Sequence, residues 1–130
     1  MAVYNRDGKN QTFDLLQKLV TDVKALQRDV TTLYIVPTKI TANYVVLETD
    51  DWIINNKAAT ICTLTLLDPT LYSGHLIKIN TWQAFGVQSN ANNVVPQAGG
   101  AAGSAILTTT AGKWAIVVSD GINWIIVQSN

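Results

Sequence analysis

Apolar residues near the start of the chain recur in alternating steps of three and four: Leu16, Leu19, Val23, Leu26, Val30 and Leu33. Written as heptads, Leu16, Val23 and Val30 fall at a and Leu19, Leu26 and Leu33 at d, the pattern of a helix that winds against copies of itself. The spacing predicts a coiled-coil stalk over residues 13–36, ended by Pro37, which pushes Val36 out of helical dihedrals. Thr12 is placed as its N-cap, and Asp14 falls in the first turn, where the helix dipole favours an anion. A lone helix of this length is marginal in water, so its stability must come from whatever covers the seam. Val at a with Leu at d points to two strands. Leu15 at g, with Phe13 and Val20 at e, widens the apolar face in the manner of three, and a homotrimer is the expectation. Packing of the same face on the chain's own β part is the alternative.

Beyond Pro37 the period changes from helical to alternating. Short β-branched runs at Ile40–Leu47, Trp52–Ile54, Thr60–Leu67, Leu76–Ile79, Ala84–Gln88, Ala105–Thr110, Lys113–Ser119 and Asn123–Gln128 are separated by turn residues. They predict a mainly β fold, with residues 37–130 forming an antiparallel β-sandwich or barrel-like head. Asp120-Gly121 between the last two runs predicts a hairpin, since this dipeptide supplies the positive φ of a tight turn. Val94–Ala105, with Pro96, Gly99, Gly100 and Gly103 among alanines, reads as a loop of low complexity. Residues 1–12 are polar, lack periodicity and read as a flexible anchoring arm that orders against a partner.

Composition sharpens this picture in one respect. Hydrophobic residues make up 48% of the 130 and charged residues only 14%, against about 25% charged in an ordinary soluble domain. So little charge fits a chain that buries apolar surface between subunits. Nine basic residues balance nine acidic ones without a block of either sign, which argues against nucleic acid as a partner. No apolar run approaches the roughly 20 residues of a membrane-spanning helix, and no secretory signal follows Met1, so membrane insertion is not expected and synthesis is placed in the cytoplasm.

The residues that could carry chemistry are few. Cys62, the only cysteine, reads as a small core residue in the alternating run Thr60–Leu67. His75, the only histidine, follows Ser73-Gly74 with no nucleophile motif beside it and reads as a turn residue. Glu48, Asp50 and Asp51 form the one acidic cluster, explained by a turn more simply than by a calcium or glycosidase site. Phosphate-loop and zinc spacings are missing from the sequence, so neither an enzyme nor a cofactor is expected. Four tryptophans remain, and aromatic faces stack on sugar rings. Trp52, Trp114 and Trp124 lie in apolar strand patterns and are assigned to a core or subunit interface. Trp82, together with Asn80 and Gln83 at the same strand junction, forms the candidate receptor-binding group.

The β part resembles the small C-terminal head domains of bacteriophage tail-fibre and receptor-binding proteins. The matching segments are Ile40-Thr41-Ala42-Asn43-Tyr44, Ala59-Thr60-Ile61-Cys62-Thr63-Leu64 before Asp68-Pro69, Gly74-His75-Leu76-Ile77-Lys78-Ile79, and Ser119-Asp120-Gly121-Ile122-Asn123-Trp124. The resemblance implies a homotrimeric virion component whose head follows a coiled coil or shaft. With no long shaft ahead of the helix, the expectation is a short fibre, spike or head-decorating fibre. Residues 1–12 would hold it to another virion protein, and its heads would meet a host-surface glycan or serve only as architecture.

Overall fold

The computed structural model describes residues 11–31 and 35–130 and, within the helix, the side chains of residues 14–24. The chain divides into two compact units between Tyr34 and Ile35. In the first, helix α1 spans Gln11–Thr31. It begins before Thr12, which is therefore a helical residue and not its cap, and it ends ahead of the predicted limit at residue 36. Every described side chain on it is exposed, including Leu16, Leu19 and Val23 of the seam. Leu33 and the arm up to residue 10 lie outside the described residues. Leu26 and Val30 are described only as helical backbone.

The second unit is all β among the described residues, in two sheets that share one core. Strands β1 (Thr38–Ile40), β3 (Trp52–Asn55) and β5 (Leu76–Thr81) lie in one sheet, and β2 (Tyr44–Val45), β4 (Cys62–Thr65) and β6 (Val87–Ser89) in the other. Within each set the neighbours run parallel. The chain thus passes from one sheet to the other and back, stacking a new strand on each sheet with every turn. After β7 (Val94–Val95) and β8 (Ala105–Leu107), strands β9 (Trp114–Ser119) and β10 (Trp124–Ser129) form an antiparallel hairpin. The final orders are β1-β3-β5-β9-β10-β7 and β2-β4-β6-β8.

This corrects the antiparallel sandwich expected from sequence. The two-sheet layering stands, but only the pairings β5–β9, β9–β10 and β6–β8 are antiparallel. Alternation within a strand reports which face is buried and carries no sign of the neighbour's direction, so parallel and antiparallel pairing read alike. The run Ile40–Leu47 also divides, into the end of β1 and the separate β2. The low-complexity segment contains β7, paired in parallel with β10.

The inner faces meet as one apolar core. Ile53, Ile77, Ile79, Ala115, Val117 and Trp124 come from the larger sheet and Cys62, Leu64 and Val87 from the smaller. All are essentially inaccessible to solvent, and burying each of the Ile, Leu and Val side chains contributes about 1.5–3 kcal/mol. Cys62 is the small core residue expected, with burial raising its thiol pKa and nearby Lys57 opposing the rise. Trp124 turns its indole N–H to the Leu67 carbonyl at 2.9 Å, so the largest buried side chain leaves no orphan donor.

Four strands end on a buried polar residue that turns the chain. The side-chain oxygens of Asn55, Thr81, Ser89 and Ser119, the last residues of β3, β5, β6 and β9, accept the backbone N–H two positions on: Lys57 at 3.0 Å, Gln83 at 3.3 Å, Ala91 at 3.2 Å and Gly121 at 3.2 Å. These local bonds satisfy donors that leave the ladder while the backbone bends. Asn55 also donates to Thr81 Oγ1 at 3.1 Å, which joins equivalent corners of successive turns. The backbone dictates glycine at Gly86 and Gly121, among other positions. At Gly86 an added Cβ would lie 2.9 Å from the Leu107 carbonyl, and Gly121 adopts φ +91° in the β9–β10 loop. That loop spans four residues, with Asp120 Oδ1 accepting the N–H groups of Ile122 and Asn123.

Asp50, the buried member of the acidic cluster, is a structural acceptor. It takes bonds from Thr38 Oγ1, Tyr44 Oη and the Leu47 N–H, each at 2.8 Å, and so ties β1, β2 and the turn before β3 together. Burial first, then the bond to Asp50 and its negative charge, raise the Tyr44 phenol above 10.0. An acid whose pKa is higher folded than unfolded gives stability that is complete below the unfolded pKa and lost as pH rises through the folded one. Stability is therefore expected to fall above about pH 10, and less steeply in Tyr44→Phe; urea titrations across this range check it, and equal slopes would contradict it. Tyr72, raised by its bond to Glu48, leaves part of the fall in both proteins.

Candidate functional site

Because β1, β3 and β5 are parallel, their ends define two ends of the larger sheet. The chain enters this unit at Ile35, at the end where these strands begin. Trp82, Gln83 and Asn56 follow the ends of β5 and β3, some 17 Å away for a six-residue strand. The residues that could meet a ligand fall into two groups accordingly.

At the far end, Trp82 is 51% exposed, and its backbone N–H continues the ladder to the Asn55 carbonyl at 2.9 Å. Lys39 Nζ stands 5.1 Å from the centre of its ring, a cation–π contact worth about 0.5–1 kcal/mol at an exposed site. Gln83 is half-buried and donates through Nε2 to Asn56 Oδ1 at 2.7 Å. Trp82 and Gln83 are thus adjacent at one edge, with Lys39 and Asn56 as neighbours. Asn80 does not join them: its Oδ1 accepts the indole N–H of Trp52 at 2.7 Å, on the outer face of the sheet. Lys39 was not singled out in the sequence. Its contact with Trp82 depends on the parallel approach of β1 to β3 and β5, which no local pattern announces.

The second group lies where the chain enters. A surface depression of about 620 Å³ is lined by Ile35, Asp51, Trp52, Gly74, His75, Leu76, Lys78 and Ile116. Trp52 and Lys78 are register partners, and Lys78 Nζ lies 4.8 Å from the Trp52 ring centre. His75 Nε2 is 3.8 Å from Asp51 Oδ1, and its ring meets those of Tyr72 and Trp124 edge-on. His75 is thus packed beside the core in the turn before β5. Among the described residues no group of His, Cys, Asp and Glu could hold a metal ion.

The tryptophans divide by face. Trp124 is core, as its alternating context predicts, whereas Trp52 and Trp114 are half-buried on the outer face of the larger sheet. The helix supplies the other sequence-assigned surface: Leu16, Leu19 and Val23 are exposed at 56%, 58% and 44%, on one stripe of α1. The chain matches no protein-family model and no curated protein.

The exposure of Trp82 against the burial of Trp124 separates surface from structural roles. Trp82→Ala is expected to cost under about 1 kcal/mol of folding stability, whereas Trp124→Ala is expected to cost 3–5, roughly, by leaving a cavity and an unpaired Leu67 carbonyl. Guanidinium denaturation of the two variants measures both, and equal costs would contradict this division.

Proposed function

We propose that this chain is a structural, non-enzymatic bacteriophage virion protein, a short homotrimeric fibre or spike whose β heads bind a host-surface receptor. The observation that carries the reading is the heptad stripe of α1, whose described apolar residues are exposed in the single chain and whose 3–4 spacing fits copies of itself. Low charge over the whole sequence supports the same view. In this reading residues 1–12 attach to another virion protein, the stalk sets the number of heads, and three weak sites on one stalk gain by effective concentration. Trp82 is the candidate sugar-stacking platform, with Gln83 and Asn56 offering amides at its side.

A purely architectural decoration fibre is the second reading. It is favoured by Lys39, which already occupies the ring of Trp82 and gives that side chain a partner within its own head.

Leu19→Asp with Leu26→Asp places charge in the seam. The double variant is expected to elute as single chains in size-exclusion chromatography while keeping its β-type circular dichroism; an unchanged elution volume would contradict the coiled coil. On a glycan array the wild-type chain is expected to give a signal that Trp82→Ala lowers at least tenfold. Tight capsid binding without any glycan signal would favour decoration instead.

A further inference from the structure

Charge in the β unit is segregated along the strands. Its five acidic side chains, Glu48, Asp50, Asp51, Asp68 and Asp120, all lie toward the end where β1, β3 and β5 begin. Asp50 and Asp51 immediately precede β3, and Asp120 follows β9, whose last residues pair with the first of β5. Glu48 accepts from Tyr72 ahead of β5, and Asp68 stands between Leu67 and Pro69, whose carbonyls accept from Trp124 and Ser119 at the same end. Three of the unit's four lysines gather at the other end. Lys39 reaches the Trp82 ring, Lys57 follows β3 with Nζ on the Ile61 carbonyl at 2.7 Å, and the Lys113 carbonyl accepts the Thr81 N–H at 2.9 Å. An anion approaching Trp82 thus meets positive charge and no acidic side chain of the unit.

We infer that the Trp82 edge binds an acidic saccharide: a sugar ring bearing a carboxylate or phosphate stacks on the indole while Lys39 pairs with the acid group. The inference rests on the glycan-binding reading above and names the ligand class that reading leaves open. Lys39 makes the selection. Because its ammonium stands over the exposed Trp82 ring, a ligand that stacks there must draw it aside, and a surface cation–π contact is weak enough to yield. A neutral sugar would take the ring and leave the ammonium to water. An acidic sugar takes the ring and gives the ammonium a charge-assisted hydrogen bond in exchange. The other tryptophan–lysine pair of the head supplies the contrast. Lys78 Nζ lies 4.8 Å from the Trp52 ring centre, but Asp51 lines the same depression, so an acid group there would meet like charge. The same two side chains are paired twice, and only the Trp82 pair has surroundings that suit an anion.

The test is an array of matched glycans probed with the full chain, each uronate- or phosphate-bearing oligosaccharide printed beside its carboxyl-reduced or dephosphorylated counterpart. Acidic members are expected to give roughly tenfold more signal than their counterparts, and about 0.5 M sodium chloride is expected to remove most of that difference. Which pairs respond identifies the acid as carboxylate or phosphate. Lys39→Gln, at an exposed position, is expected to level the pairs, whereas Lys18→Gln, which removes the same charge from α1, is expected to leave the preference unchanged. Equal signals from acidic and neutral members in wild type would overturn the acidic preference and leave the glycan reading intact. A preference that survives Lys39→Gln in a protein of wild-type circular dichroism, or that falls as far with Lys18→Gln, would overturn the assignment to the Trp82 edge. No signal from any pair would overturn this inference and the glycan reading together.

Discussion

Everything in the head depends on how the chain leaves one sheet for the other. A parallel ladder cannot be joined by tight hairpins, so each turn must carry its backbone across the edge of the core without stranding polar groups. Asn55, Thr81 and Ser89 perform this at strand ends, buried, each accepting the N–H two residues on, and Ser119 closes the β9–β10 hairpin within the larger sheet by the same bond. Because these oxygens close the corners locally, the strands between them are free to be apolar inward. Asp50 does the corresponding work for the first turn, holding Thr38, Tyr44 and Leu47 on one carboxylate. Removing any of these acceptors would take the partner from a part-buried donor, at a cost of up to about 1–3 kcal/mol where water cannot replace it.

That arrangement also orients the surface. Parallel strands give the larger sheet an entry end and a far end, which an antiparallel meander would have mixed. Ile35, Asp51 and Leu76 gather at the first, and Trp82, Lys39, Gln83 and Asn56 at the second. One end is apolar and close along the chain to the helix terminus; the other carries an exposed ring with amides and a cation. In the proposed trimer, the exposed apolar stripe of the helix is what copies of the chain would cover.

The sequence carried the parts of this that are local. The heptad period over Leu16–Leu33, the Asp120-Gly121 hairpin, the core role of Cys62 and Trp124 and the exposure of Trp82 are each set by a few neighbouring residues. Direction of pairing was not legible, because Thr60–Leu67 alternates identically whether its neighbour runs parallel or antiparallel. β7 was hidden by its setting, two valines ahead of a Pro- and Gly-rich segment. Asn80 lies two residues from Trp82 in sequence, yet alternation within β5 sends it to Trp52 instead. The closing acceptors are ordinary Asn, Thr and Ser residues, and only burial distinguishes them from those on the surface. The entry-end depression has no local signal for a related reason: Trp52, Leu76 and Ile116 come from three strands whose neighbourhood is fixed by topology.

The central claim is that three copies of this chain assemble through the exposed helical seam. Sedimentation equilibrium of the full-length protein at micromolar concentration tests it most directly. The account predicts one species of about 42 kDa, three times the 14.1 kDa chain; a single species at the mass of one chain would contradict it.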